Sequence, residues 1–205
     1  MWNNKLEKRL ESLQKIRYIE LYECKISKGI NDEIVSRIAI ELGFSLPEEL
    51  ISFYKEMNGV DISWSFKKDN DEEISGSILI LPLKEAIFGY DGHIESAQYE
   101  NAFEDVLWNE FYSNKKIKEL KQHRLFESIV GDSSFITFKL VDECVQMFYV
   151  YEEKIKPLQV SLTDYLELII EYAGTGNIRE YLISKRWEQK IRKDKELNFI
   201  AGHLG

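Results

Sequence analysis

The segment from Asn31 to Gly59 constrains this chain most, because its caps leave room for two short helices with a sharp turn between them. Asn31-Asp32-Glu33 caps and charges a helix start, and Ile34, Ile38, Ala39 and Leu42 line one face. Gly43 stands where a left-handed C-terminal cap is expected. A second helix follows at once. Ser45 and Glu48 make an S-x-x-E capping box, with Pro47 in the first turn where its missing N–H costs nothing. Leu50, Phe53, Tyr54 and Met57 fall at i, i+3, i+4 and i+7, one amphipathic face that Asn58-Gly59 terminates.

The flanking elements are read the same way. Residues 4–28 are expected to be helical, with Leu6, Leu10, Leu13 and Ile16 as a narrow apolar stripe and Lys28-Gly29 as the stop. Such a stripe packs on the body of the domain or serves as a partner-binding arm. Residues 60–66 alternate apolar and polar side chains, the mark of a half-buried antiparallel strand. A polar loop at 67–73 leads to a second strand at 76–83, and 84–88 starts a short helix. Between 89 and 128 the pattern is irregular, with helical spacing only for Phe103, Val106, Leu107 and Phe111. Residues 135–141 and 144–151 form a β-hairpin by length and alternation, and 155–160 add a short strand. Ser161 opens a capped helix whose buried face is Leu162, Tyr165, Leu166, Ile169 and Tyr172 or Ala173, closed by Gly174. A further helix is expected over 177–200.

With 205 residues, 44% of them hydrophobic and 13% aromatic, the chain has material for one sizeable core and is no disordered tract. Its longest apolar stretch, 78–83, is far short of the ~20 residues that span a bilayer. The first residues carry no apolar leader segment, so a cytoplasmic location without membrane contact is expected. The net charge of −9 disfavours a general nucleic-acid binder. Residues 177–205 hold seven Lys/Arg against four Asp/Glu, net +3, which leaves −12 in residues 1–176. Cys24 and Cys144 make no disulfide framework and are expected as free, buried or half-buried thiols.

No recognisable catalytic motif emerges. His93, His123 and His203 are isolated, without the i, i+3 or i+4 companion of a helical metal site. Gly131-Asp132-Ser133-Ser134 lacks the G-x-S-x-G elbow and reads as a turn. Gly174-Thr175-Gly176 follows a helix, the wrong context for a phosphate cradle. Asp69, Asp71, Glu72 and Glu73 lack the EF-hand pattern. They are either a solvated hairpin tip or an acidic patch for a basic partner surface. Trp108, Phe111 and Tyr112 are either core residues or anchors of a binding surface. No cofactor, metal site or catalytic residue is expected.

Glu41-Leu42-Gly43-Phe44-Ser45-Leu46-Pro47-Glu48-Glu49-Leu50, then Phe53-Tyr54 and Asn58-Gly59, resembles the signature of the SUKH superfamily. Trp64 on the first expected strand, 77–86 (SILILPLKEA) and 161–168 (SLTDYLEL) are similar to its later pieces. The resemblance implies an α+β fold: a single domain over 30–174, mainly antiparallel sheet flanked by helices, with an insert at about 89–128. Residues 1–29 would be a helical extension and 175–205 a basic C-terminal helix. It also implies a non-enzymatic role, binding another protein. In bacterial members that partner is a cognate toxin, often a nuclease, and in fungal members the role is cell-wall synthesis regulation. The first expectation is therefore an immunity protein that neutralises a toxin. A regulatory or scaffold module is the second, and a hydrolase or metal-dependent enzyme using 89–134 the third. Oligomeric state is left open.

Overall fold

The computed structural model describes residues 1–67, 73–88, 119, 120, 122–129, 134–141, 144–151 and 154–204. In chain order the elements are α1 (Trp2–Gln14), β1 (Ile19–Lys28), α2 (Asp32–Leu42), α3 (Glu48–Glu56), β2 (Met57–Lys67), β3 (Glu73–Ile80) and α4 (Leu83–Phe88). After them come β4 (Arg124–Ile129), β5 (Ser134–Val141), β6 (Cys144–Tyr151), β7 (Lys154–Pro157), α5 (Leu162–Glu171), α6 (Ile178–Tyr181), α7 (Trp187–Lys193) and α8 (Lys195–Leu204). The strands form one seven-stranded antiparallel sheet in the order β1-β2-β3-β4-β5-β6-β7, so the fold is α+β.

One helix layer builds the core against this sheet. Helix α1 buries Leu6, Leu10 and Leu13 and packs against α3, α5 and α8. Alternation sends Ile62, Trp64 and Phe66 of β2 and Ile78 and Ile80 of β3 to the buried face. Phe53, Tyr54, Phe126, Phe138 and Tyr165 meet largely edge to face, with Phe126 5.8 Å from Phe53 and 6.2 Å from Tyr165. Leu50, Phe53, Tyr54 and Met57 are all buried, each burial worth about 1.5–3 kcal/mol for a side chain of this kind. The amphipathic reading of α3 therefore holds at Leu50, Phe53 and Tyr54, whereas Met57 is buried as the first residue of β2. Among the described residues no helix is long and apolar enough to cross a membrane.

Capping residues explain where the elements start and stop. Asn31 Oδ1 accepts the Ile34 N–H at 3.0 Å, and Gly43 closes α2 at φ 74°. Ser161 Oγ accepts the Asp164 N–H at 3.1 Å and opens α5. Replacing Asn31 by alanine leaves an N-terminal N–H of α2 without its acceptor, so a loss of about 1 kcal/mol is expected in urea denaturation.

Five expectations need correction. The expected helix over 4–28 ends at Gln14, and 19–28 is a strand. Its apolar stripe runs out at Ile16, Tyr18 turns to φ 72°, and Ile19, Leu21 and Ile26 then pack as strand residues beside β2. The capping box at Ser45 does not form. Pro47 sits at the N-cap with ψ 140°, without a side-chain cap, and its carbonyl takes the first helical bonds from Leu50 and Ile51. Asn58-Gly59 lies inside β2, where Asn58 Oδ1 accepts the Leu83 N–H at 2.9 Å and so serves the start of α4. The helix expected over 177–200 is three pieces. Asp194 leaves helical geometry at ψ 124°, and its Oδ1 accepts the Leu197 N–H at 2.9 Å to begin α8. Cys24 and Cys144 are free thiols, as expected, but both are exposed.

Candidate functional site

Strands β3 and β4 pair only at Leu79↔Ser128 and Ile80↔Glu127, then part. The turn after α5 fills the split. Ser77 N–H donates to Gly174 O at 3.1 Å, and Gly76 bridges to Thr175. Gly76 has room for no side chain, because a Cβ there would lie 2.6 Å from both Ala173 O and Trp64 Nε1. Trp64 uses that space to donate Nε1–H to Ala173 O at 2.7 Å.

Beneath the split lies a buried ion pair. Arg179 is 1% exposed and Glu127 0%. Every arm of the guanidinium is engaged: Nε to Glu127 Oε2 at 3.0 Å, Nη1 to Gly174 O at 2.9 Å, and Nη2 to Ser77 O at 2.6 Å and to Glu127 Oε1. The Tyr165 hydroxyl donates to Glu127 Oε2. Burial works against the charged guanidinium, but Glu127 and Tyr165 more than offset it and hold Arg179 firmly protonated. Burial first, and the adjacent Glu127 second, push the Tyr165 phenol well above its ordinary range. The triad ties three parts of the chain that no single element would hold together.

Above it opens a cleft of about 260 Å³ lined by Tyr22, Ser63, Ser65, Ser75, Ser77 and Gly176, among others. Register explains the serines. Ser63 is opposite Ser77 and Ser65 opposite Ser75, so two S-x-S runs become two facing hydroxyl pairs on neighbouring strands. The extra residue of a bulge in β1, Tyr22, is 56% exposed and shares a 2.6 Å hydrogen bond with Ser65 Oγ. Hydroxyls both donate and accept, so the accessible ones can meet mixed polar groups, while Ser65 is buried under its bond to Tyr22. Its volume falls below the roughly 300–1,000 Å³ of small-molecule pockets and suits an inserted side chain.

Of the residues read from sequence as partner-binding, Glu73 is exposed at the end of β3, opposite Lys67, and pairs with its ammonium at 3.5 Å. It also lines the cleft. Asp69, Asp71, Glu72, Trp108, Phe111 and Tyr112 lie outside the described residues, as does His93. His123 is buried, with Nδ1 2.8 Å from Thr137 Oγ1, and the His203 ring lies tilted against Phe199 with centroids 4.1 Å apart. No group of three or more His, Cys, Asp or Glu that would hold a metal occurs among the described residues. Sequence reading missed the serine pairs, Tyr22 and the Glu127–Arg179–Tyr165 triad. The S-x-S spacing on both strands was the available signal; nothing local marks Arg179 apart from other charges of the tail.

A family model described as SMI1 / KNR4 family (SUKH-1) matches residues 29–168. No curated protein matches the chain. The four serines and Glu127 fall inside the matched span, whereas Tyr22, Gly174, Gly176 and Arg179 fall outside it. The cleft thus joins sheet residues inside the matched span to residues before and after it.

Proposed function

The chain belongs to the SMI1 / KNR4 family (SUKH-1), and on that premise we propose that it is a non-enzymatic protein-binding domain acting as an immunity protein, which neutralises a cognate toxin domain by covering its active site or substrate path. The observation that carries this reading is the cleft. Its serine hydroxyls stand on paired strands, and the arginine beneath them is spent on internal bonds. That arrangement supports recognition of a side chain more than proton transfer. The charge distribution adds to it, since −12 over residues 1–176 draws a basic surface such as the phosphate-binding face of a nuclease.

Co-expression with the toxin domain encoded beside this chain tests the reading. Protection of the cells and a stable, salt-sensitive complex are expected. Absence of both overturns it, and leaves the regulatory role implied by the fungal relatives. Within a complex, Ser75→Arg combined with Glu73→Lys is expected to weaken binding about tenfold or more, or about 1.4 kcal/mol. Both residues are exposed, and losing the exposed Glu73–Lys67 pair costs only about 1 kcal/mol, so the melting temperature should fall by a few degrees at most. Unchanged affinity would place the docking surface elsewhere.

A further inference from the structure

Strand β1 is the edge of the sheet, and among the described residues nothing pairs with its outer side. It is ten residues long, and Tyr22, Glu23, Cys24 and Lys25 at its middle are all exposed. A long open edge presents unpaired N–H and C=O groups, and charged side chains ordinarily blunt it. Here the charges have a particular order. Glu23 and Glu20 lie one and four residues before Cys24, and Lys25 and Lys28 lie one and four residues after it. The pattern is antisymmetric about Cys24.

We propose that β1 is an isologous dimer interface, in which the strand pairs antiparallel with β1 of a second copy about a two-fold axis at Cys24. Antiparallel self-pairing places residue i opposite the residue equally far beyond the axis. An axis at Cys24 sets Glu23 opposite Lys25 of the second copy, and reciprocally, within the regular stretch 23–26 that lies between the two register irregularities of β1. Shifting the axis to Glu23 sets glutamate against glutamate, and shifting it to Lys25 sets lysine against lysine. Those are the neighbouring registers that keep each side chain on its face of the sheet, and both are repulsive. Charge thus selects the register at Cys24. Glu23 stands opposite Ser63 and Lys25 opposite Asp61 within the chain, so both project on the serine-bearing face and meet the second copy clear of the helix layer. The product is a continuous sheet across two copies, with their serine clefts on one face. Strand β1 precedes the family-matched span, so the interface lies outside residues 29–168.

Sedimentation equilibrium of the full chain at micromolar concentrations reads the result without any toxin partner. A dimer is expected. Glu23→Lys and Lys25→Glu, each alone, should raise the dissociation constant about tenfold or more by opposing like charges twice. The double swap Glu23→Lys/Lys25→Glu should restore dimerisation, which a merely misfolded variant does not. A short thiol–thiol cross-linker should join two copies through Cys24, surviving Cys144→Ser and failing with Cys24→Ser. A monomer at every concentration overturns the proposal. So does a dimer indifferent to both single charge reversals, or a double swap that stays monomeric.

Discussion

Replacing Arg179 by methionine should destabilise the fold by about 3–5 kcal/mol, the cost of removing one partner from a buried ion pair. Total stability for a domain is only about 5–15 kcal/mol, so this one change consumes a large share of it. The physical reason is what it leaves behind. Glu127 is fully buried and loses its counter-charge, while Ser77 O and Gly174 O each lose a donor. Methionine fills some of the volume and answers none of these groups. Urea denaturation by circular dichroism measures the loss, as a fall in midpoint at unchanged slope. The double variant Glu127→Gln/Arg179→Met removes the orphaned charge and should recover part of the stability. A cycle over the two singles and the double then gives a coupling energy within about 0.5–3 kcal/mol. If Arg179→Met melts with the parent, the pair does not hold the split sheet together. The triad spans β4, α5 and α6, so its loss should also spread the cleft walls and weaken partner binding.

The same triad shows why some of the fold was legible in the sequence and some was not. Local rules sufficed wherever one element decides its own form. Asn31, Gly43 and Ser161 cap as their types suggest, and α3 buries Leu50, Phe53 and Tyr54 as its spacing marks them. The hairpin of β5 and β6 reads off its two apolar runs set two residues apart, and β5 is buried on both faces from Ser134 to Phe138. Strand β4 was hidden inside the irregular middle stretch. It is buried on both faces around a bulge, and it carries Glu127, a residue type that reads as surface until Arg179 arrives from 52 positions away. Strand β1 was mistaken for helix because its charges and leucine continue the composition of α1. Only pairing with β2 separates the two, and pairing is a property of the fold. The serine pairs depend likewise on register between strands, which no single strand states.

Gly174→Ala should be nearly as damaging, and two other glycines act as its controls. Gly174 stands at φ 70°, where an L side chain costs roughly 1–2 kcal/mol. Space is refused as well. A Cβ there would press on the Ser77 carbonyl, 2.6 Å from its carbon and 2.7 Å from Ile78 Cγ1, and the strand cannot retreat without breaking its bond to Gly174 O. Such overpacking adds about 1–3 kcal/mol, so the sum is about 2–5 kcal/mol. Gly43 shares the conformation, φ 74°, but has open space around it, so Gly43→Ala should cost only the first part. Gly176 has open space and no left-handed φ, so Gly176→Ala should stay within about 0.5 kcal/mol of the parent. Thermal or urea unfolding of the three variants separates conformation from contact. Equal losses at Gly43 and Gly174 would mean that the 174–176 turn does not seat against β3 as described. Gly174 O also accepts from Arg179, so the alanine variant should weaken the ion pair's anchorage. Its effect should therefore be less than additive with Arg179→Met, because both substitutions open the same joint.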